Sequence, residues 1–317
     1  MYPKIDLHTH LDGALKVSTI KELFKKKTSY PLSVDAKIQI KDGQPSLTEY
    51  LKYFQIPIFL MKDDLEVIER IAFEMVEQLF FNSVKYAEIR YAPQLLVSKI
   101  TVDNCKSVIN AVNKGFERGM TTYKGVIVNS IICLMRGLSL KDNTITYETV
   151  CCYEDNPNVV AIDLAGDEYN FSGEELKDLF IDAKKHGFHI TMHAGENCGP
   201  ESIKMALDFG AERIGHGLSL WQNEELMSEI RDRQICIESC PISNFQTGAI
   251  LRYDYKIKSF LDFGIPVCVN TDNITVSNTS LDKEYKYLEQ HYLFSKEDLE
   301  KMKGYAFKHL FKKTVNF

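Results

Sequence analysis

Near the start of the chain, the run Ile5-Asp6-Leu7-His8-Thr9-His10-Leu11-Asp12-Gly13 carries two histidines separated by one residue. Side chains alternate faces along a β-strand, so this spacing directs Asp6, His8, His10 and Asp12 to one face and Ile5, Leu7, Thr9 and Leu11 to the other. Two imidazoles on one face converge on a single ion, and imidazole suits zinc. A His-x-His pair is also common as an ordinary hydrogen-bonded pair, so the chemistry requires further ligands from distant parts of the sequence. His193 and Asp272 supply them, the first a nitrogen and the second an oxygen, which leaves a coordination position for water. Zinc brings the pKa of such a water to about 7, and Asp272 can hold the released proton. Glu196, three residues past His193, is placed to reach over the site as a general acid, and His216 to orient the attacking water.

What would bring these residues together is a repeated unit. Alternating or apolar runs ending in turn residues predict strands at 4–13, 84–93, 125–135, 159–166, 189–195, 212–217, 235–240 and 265–271. Helical periodicity predicts intervening helices at 17–27, 64–82, 102–118, 143–153, 173–186, 201–209, 223–233 and 253–263, with a last one at 296–311 packed on the barrel wall. Eight strands alternating with helices, with no linker-like break, point to one single-domain (β/α)8 TIM barrel; an open doubly wound sheet is the runner-up. Such barrels carry their chemistry at the C-terminal strand ends. His8, His10, Gly166, His193, Glu196, His216 and Asp272 all fall there, whereas His186, His189, His291 and His309 lie on helices, at helix ends or at a strand start and read as structural. Residues 28–62 form an excursion after the first strand, read as a helical lid. Within it Ser46-x-x-Glu49 reads as a capping box, and Leu47, Tyr50, Leu51 and Phe54 share one apolar face suited to excluding water from a cleft.

The formal net charge of −6, with both signs interspersed, gives no electrostatic footprint for nucleic acid or an anionic membrane. A small ligand is the expected partner. No apolar run reaches membrane-spanning length and no signal-peptide core is read at the N-terminus, so the expected location is cytoplasmic. The eight cysteines form no C-x-x-C pair and are expected to be reduced thiols.

At this point the residues resemble one family over essentially the whole chain, the adenosine deaminases of the amidohydrolase superfamily. The resemblance rests on Asp6–Gly13, the run 160–168, His193-Ala194-Gly195-Glu196, Arg213-Ile214-Gly215-His216-Gly217, Cys240-Pro241-Ile242-Ser243-Asn244-Phe245-Gln246-Thr247-Gly248 and Asn270-Thr271-Asp272. It implies one zinc ion per chain, bound by His8, His10, His193 and Asp272, and hydrolytic deamination of adenosine and deoxyadenosine in purine salvage. Glu196 would protonate purine N1, and His216 would assist attack at C6. Gly166 would offer its N–H to N3, Asp12 would meet the ribose 5′-hydroxyl, and Leu47, Tyr50, Leu51 and Phe54 would form the apolar gate. Residues 158–173 contain no lysine of the kind that bridges two metals in related barrels, which favours a mononuclear site. The P-C-x-x-C half of the signature of cytosine-type zinc deaminases is missing.

In one place the chain departs from the family pattern: it reads Asn270-Thr271-Asp272-Asn273-Ile274 where the family has Asp-Pro after the metal-binding aspartate. The resemblance places Asn273 against purine N7, to which an amide donates at any pH. Deamination of a modified adenosine or of adenine, and non-catalytic binding of a purine nucleoside, therefore stand as alternatives. Oligomeric state is not written in the sequence.

Overall fold

A computed structural model describes residues 2–33, 36–41 and 46–312. Eight parallel strands follow one another around a barrel in chain order: β1 (Lys4–His10), β2 (Val84–Tyr91), β3 (Ile127–Met135), β4 (Val159–Ala165), β5 (His189–Ala194), β6 (Arg213–His216), β7 (Cys236–Ser239) and β8 (Val267–Val269). Consecutive strands pair in parallel. The seam between β8 and β1 is closed by a bridge between Thr9 and Asp272, with His10 N–H donating to Asp272 O at 2.7 Å and Asp272 N–H to His8 O at 2.8 Å.

The intervening helices bury one stripe each against the strands. In the helix α4 (Leu65–Phe81), after α1 (Val17–Thr28), α2 (Leu47–Leu51) and α3 (Gln55–Met61), the buried stripe is Val67, Ile68, Ile71, Ala72, Met75, Val76 and Leu79. Each large member contributes roughly 1.5–3 kcal/mol by leaving water. The Asp64 side chain caps this helix by accepting the Val67 N–H. Around the rest of the wall run α5 (Val102–Thr122), α6 (Leu140–Cys151), α7 (Lys177–Lys185), α8 (Pro200–Asp208), α9 (Glu224–Asp232), α10 (Pro241–Gln246), α11 (Ala249–Tyr253), α12 (Ile257–Phe263), α13 (Leu281–His291) and α14 (Lys296–Lys308). Helices α3, α10, α11 and α13 are additions to the sequence reading.

Two expectations are corrected. Strand β1 shifts register against β2 between Asp6 and Thr9, three residues facing two, so strict alternation fails there. Asp6 consequently turns away from the histidines and accepts the Thr271 hydroxyl at 2.6 Å, while Ile5 and Leu7 pack with Tyr86, Cys236 and Cys268. The last helix ends at Lys308, and the following residues turn under the barrel instead of continuing along its wall. Phe311 N–H donates to Glu88 at 2.9 Å, its ring stacks on His189 with centroids 4.6 Å apart, and the Arg213 guanidinium lies 3.6 Å over it. His189 and Arg213 are the first residues of their strands, so this segment closes the end opposite the C-terminal strand ends.

All eight cysteines are free thiols. Among the described residues no helix is long and apolar enough to cross a membrane.

Candidate active site

The strand register brings His8, His10, His193 and Asp272 together with one donor atom each, all within 4.8 Å of one another. His8 Nδ1 is 2.8 Å from Glu238, and His193 Nδ1 is 3.0 and 3.2 Å from the two Asp163 oxygens. A carboxylate only accepts, so each histidine keeps its proton on Nδ1 and aims an Nε2 lone pair inward. His8 Nε2 is buried without a hydrogen-bond partner. Nε2 of His10 and of His193 lie 3.2 Å apart, and Asp272 Oδ1 lies 3.4 Å from His10 Nε2 and 3.6 Å from His8 Nε2. Lone pairs at these separations repel unless a cation sits between them. Tetrahedral zinc with bonds of about 2.0–2.1 Å requires ligand separations of about 3.3–3.4 Å, which the cluster nearly matches. A second group, His216, Cys240 and Asp272, shares Asp272 with the first and does not define an independent site.

Beneath this cluster runs a buried ionic spine. Glu238 also accepts from Arg90 at 2.8 Å and the Thr191 hydroxyl at 3.0 Å and is ion-paired with Arg213 at 2.6 Å, and Arg90 reaches Asp163 at 3.1 Å. Burial alone would raise both carboxyls. Arg90 and Arg213 hold Glu238, and His193 and Arg90 hold Asp163, well below the usual carboxylate range. The sequence reading missed Glu238, Asp163, Arg90 and Arg213 as supports; their signal is charged residues inside strands otherwise fit for a core. Gly215 matters for the same packing, because a Cβ there would stand 2.8 Å from the His8 ring.

Glu196 lies two residues beyond β5 on a backbone held by Glu168, which accepts N–H groups from Gly195, Glu196 and Asn197 at 2.7, 3.1 and 2.8 Å. Burial first, then the charges of Asp272 and Glu168, push the Glu196 carboxyl up to about 8. It is therefore mostly protonated at neutral pH. Its Oε1 accepts from Thr247 at 3.1 Å and from the Asn244 amide at 3.4 Å, and its Oε2 is 3.6 Å from His216 Nε2. The same Asn244 amide donates to His216 Nδ1 at 2.9 Å. Burial and the neighbouring His8 push the His216 imidazole well below its ordinary value, so it is neutral with its one proton on Nε2. Both His216 (φ 69°) and Asp272 (φ 57°) adopt left-handed backbone, a cost of about 1–3 kcal/mol each that sits where the chemistry is.

These groups open on a cavity of ≈ 280 Å³. His10, Asp12, Gly166, His193, Glu196, His216, Asp272 and Asn273 line it, while His8 lies behind, fully buried. Leu47, Tyr50, Leu51 and Phe54 also line it, together with Ile58 and Leu95, which the sequence reading did not name. The Ser46 hydroxyl caps α2 through the Glu49 N–H, but the Glu49 carboxylate pairs with Lys52 and Lys37. Thr48 donates across the mouth to Asp167 at 2.9 Å. The Asp12 carboxyl, pushed by burial up to about 6, keeps one buried oxygen without a partner. His186, His189, His291 and His309 are not among the cavity residues.

A family model described as adenosine deaminase matches residues 3–314. The chain belongs to the adenosine deaminase family. Two of this family's bacterial members show the degree of similarity. The adenosine deaminase of Haemophilus ducreyi is 35% identical over 305 residues, covering 93% of this chain and 87% of that protein. That of Clostridium botulinum strain Okra is 38% identical over 306 residues, covering 93% and 89%. Among solved structures, the apo N6-methyl-AMP deaminase of Arabidopsis thaliana superposes with a TM-score of 0.83 at 26% identity, covering 98% of this chain and 92% of that one.

Proposed function

We propose that this member of the adenosine deaminase family hydrolyses adenosine and deoxyadenosine to inosine and deoxyinosine with release of ammonia, using one zinc ion per chain held by His8, His10, His193 and Asp272. The observation that carries the reading is a buried, mostly protonated Glu196 sharing one cavity with a four-ligand cluster. When bound, zinc supplies a water acidic enough to lose its proton near neutrality.

The chain's own residues do the rest. Glu196 has Oε1 occupied by Thr247 and Asn244, so its proton is on Oε2, from which it passes to purine N1 and makes C6 electrophilic. His216 offers Nε2–H to the oxygen added at C6, because Asn244 fixes its tautomer as a donor. Asp272, which must stay ionised to accept, takes the proton of the attacking water. Asp12 accepts the 5′-hydroxyl with its unpartnered oxygen, and Gly166 contributes its backbone N–H at N3. The lid expected at 28–62, of which 34–35 and 42–45 lie outside the described residues, acts through its residues 46–62, with Leu47, Tyr50, Leu51 and Phe54 excluding water from the closed pocket.

A nucleoside suits this cavity better than a nucleotide. Arg136 is the one lysine or arginine among the described lining residues, and its nitrogens are given to the backbone carbonyls of Ser172, Leu164 and His193. Asp12 and Asp167 at the cavity would repel a 5′-phosphate. The test is ammonia release and the ultraviolet change from adenosine to inosine with purified, zinc-replete protein, run beside deoxyadenosine, adenine, AMP and 6-methylaminopurine riboside. Turnover of the two nucleosides that a chelator abolishes is expected. Turnover confined to AMP, adenine or the methylated riboside would replace the substrate assignment.

A further inference from the structure

Tyr50 carries the hydroxyl of an otherwise apolar gate, and that hydroxyl enters a fully buried polar hub. Its oxygen lies 2.8 Å from Ser277 Oγ, 3.3 Å from Ser243 Oγ and 2.9 Å from Asn273 Nδ2, and Ser243 Oγ lies 2.5 Å from Asp272 Oδ2. The Asp272 carboxylate can only accept, so the single Ser243 proton lies on the 2.5 Å contact to it rather than on the 3.3 Å contact to Tyr50. The Tyr50 hydroxyl is left with Ser277, to which it can donate or from which it can accept, and with the Asn273 amide, which donates to it.

Resting on the deaminase reading above, we infer that Tyr50 is a positioning residue: it ties the gate to Ser277 and Asn273 and fixes Asn273 so that the amide's second N–H is offered to the ligand. The amide is also held from the other end, where Oδ1 packs so closely on Gly13 that a Cβ there would stand 1.9 Å from it. Asn273 lines the cavity and follows β8, whereas Glu196 follows β5. A purine that gives N1 to Glu196 and C6 to the cluster turns its N7 edge the other way, so the free N–H demands a lone pair at position 7. The gate therefore selects the ligand's hydrogen-bonding pattern as well as excluding water.

The test compares equilibrium binding of adenosine and 7-deazaadenosine, which has C–H at position 7, to zinc-loaded Glu196→Gln protein that cannot turn them over. The parent is expected to prefer adenosine by about tenfold. Adding Tyr50→Phe is expected to cut that preference to about threefold or less by weakening adenosine alone, with zinc content unchanged. Asn273→Ala should abolish the preference, and Tyr50→Phe should then have no further effect on the ratio, the signature of action through Asn273. An equal preference in the parent, an unchanged ratio in Tyr50→Phe, or an equal weakening of both ligands would overturn the inference. Failure of the deaminase reading registers separately, as no inosine from the unmutated enzyme.

Discussion

Glu238 is the point at which the metal cluster depends on the barrel's interior, and replacing it with glutamine tests that dependence. The carboxylate receives three donors, His8 and Arg90 on one oxygen and Thr191 on the other, and the second oxygen is also ion-paired with Arg213. Glutamine keeps one acceptor and presents an NH2 to whichever pair meets the other end, so a donor faces an arginine in either orientation. Removing one partner of a buried pair costs about 3–5 kcal/mol when the other is left alone. Here Arg90 keeps Asp163 at 3.1 Å and Arg213 keeps Glu88 at 2.6 Å, so a loss near or below about 3 kcal/mol is expected. The more specific effect is on metal. Without an anionic acceptor on Nδ1, His8 loses both orientation and basicity, and zinc affinity should fall about 10- to 100-fold, or about 1.4–2.7 kcal/mol. Competition against a chelator of known affinity measures this, and thermal melts of the metal-free protein isolate the stability loss. Asp163→Asn should weaken zinc similarly through His193. A zinc dissociation constant within twofold of wild type in Glu238→Gln would refute the reasoning.

Glu196→Gln should fold and retain zinc yet lose about 100- to 10,000-fold in kcat; a zinc-replete variant with near-wild-type turnover would remove Glu196 from the acid role. Since the acid must be protonated and burial with Asp272 and Glu168 holds it near 8, kcat/KM should fall as pH rises through that region. A cation on Asp272 offsets part of that charge, so the limb should lie at or below 8, and a profile flat to pH 10 would contradict the assignment. Asn244→Leu should lower kcat far more than it raises KM, because it releases the His216 tautomer and one support of Glu196; an effect on KM alone would assign Asn244 to binding. Phe311→Ala should lower the melting point by removing the ring between Arg213 and His189, a loss of about 3–5 kcal/mol if the floor does not repack.

The barrel and the convergence of His8, His10, His193 and Asp272 were legible because each leaves a local mark: a strand period, a turn, and a histidine or aspartate at a strand end. The face of Asp6 was not, since alternation assumes an unbroken register and the shift at β1 follows from how the first strand meets its neighbours. Glu238 and Asp163 stood in plain view as carboxyls within strands, but their pairing with His8 and His193 depends on which strands face each other across the interior. Asn244 and Thr247 lie on and just after a short helix that sequence periodicity did not reveal, and their donors acquire meaning only once Glu196 and His216 are seen beside them. Tyr50 was readable as apolar cover, whereas its hydroxyl chemistry required the folded gate.

The seam between the first and last strands has a consequence for how the protein is made. His8 and His10 are synthesised long before Asp272, which is bonded to the same strand through both its N–H and its C=O. A nascent chain holds the two histidines of the cradle long before it holds the carboxylate. If zinc is held as proposed, its full-affinity loading would await the ring's closure, at the one junction between strands that do not follow each other in the chain. Metal capture would mark the end of assembly, and metal starvation would be felt first as an opened seam.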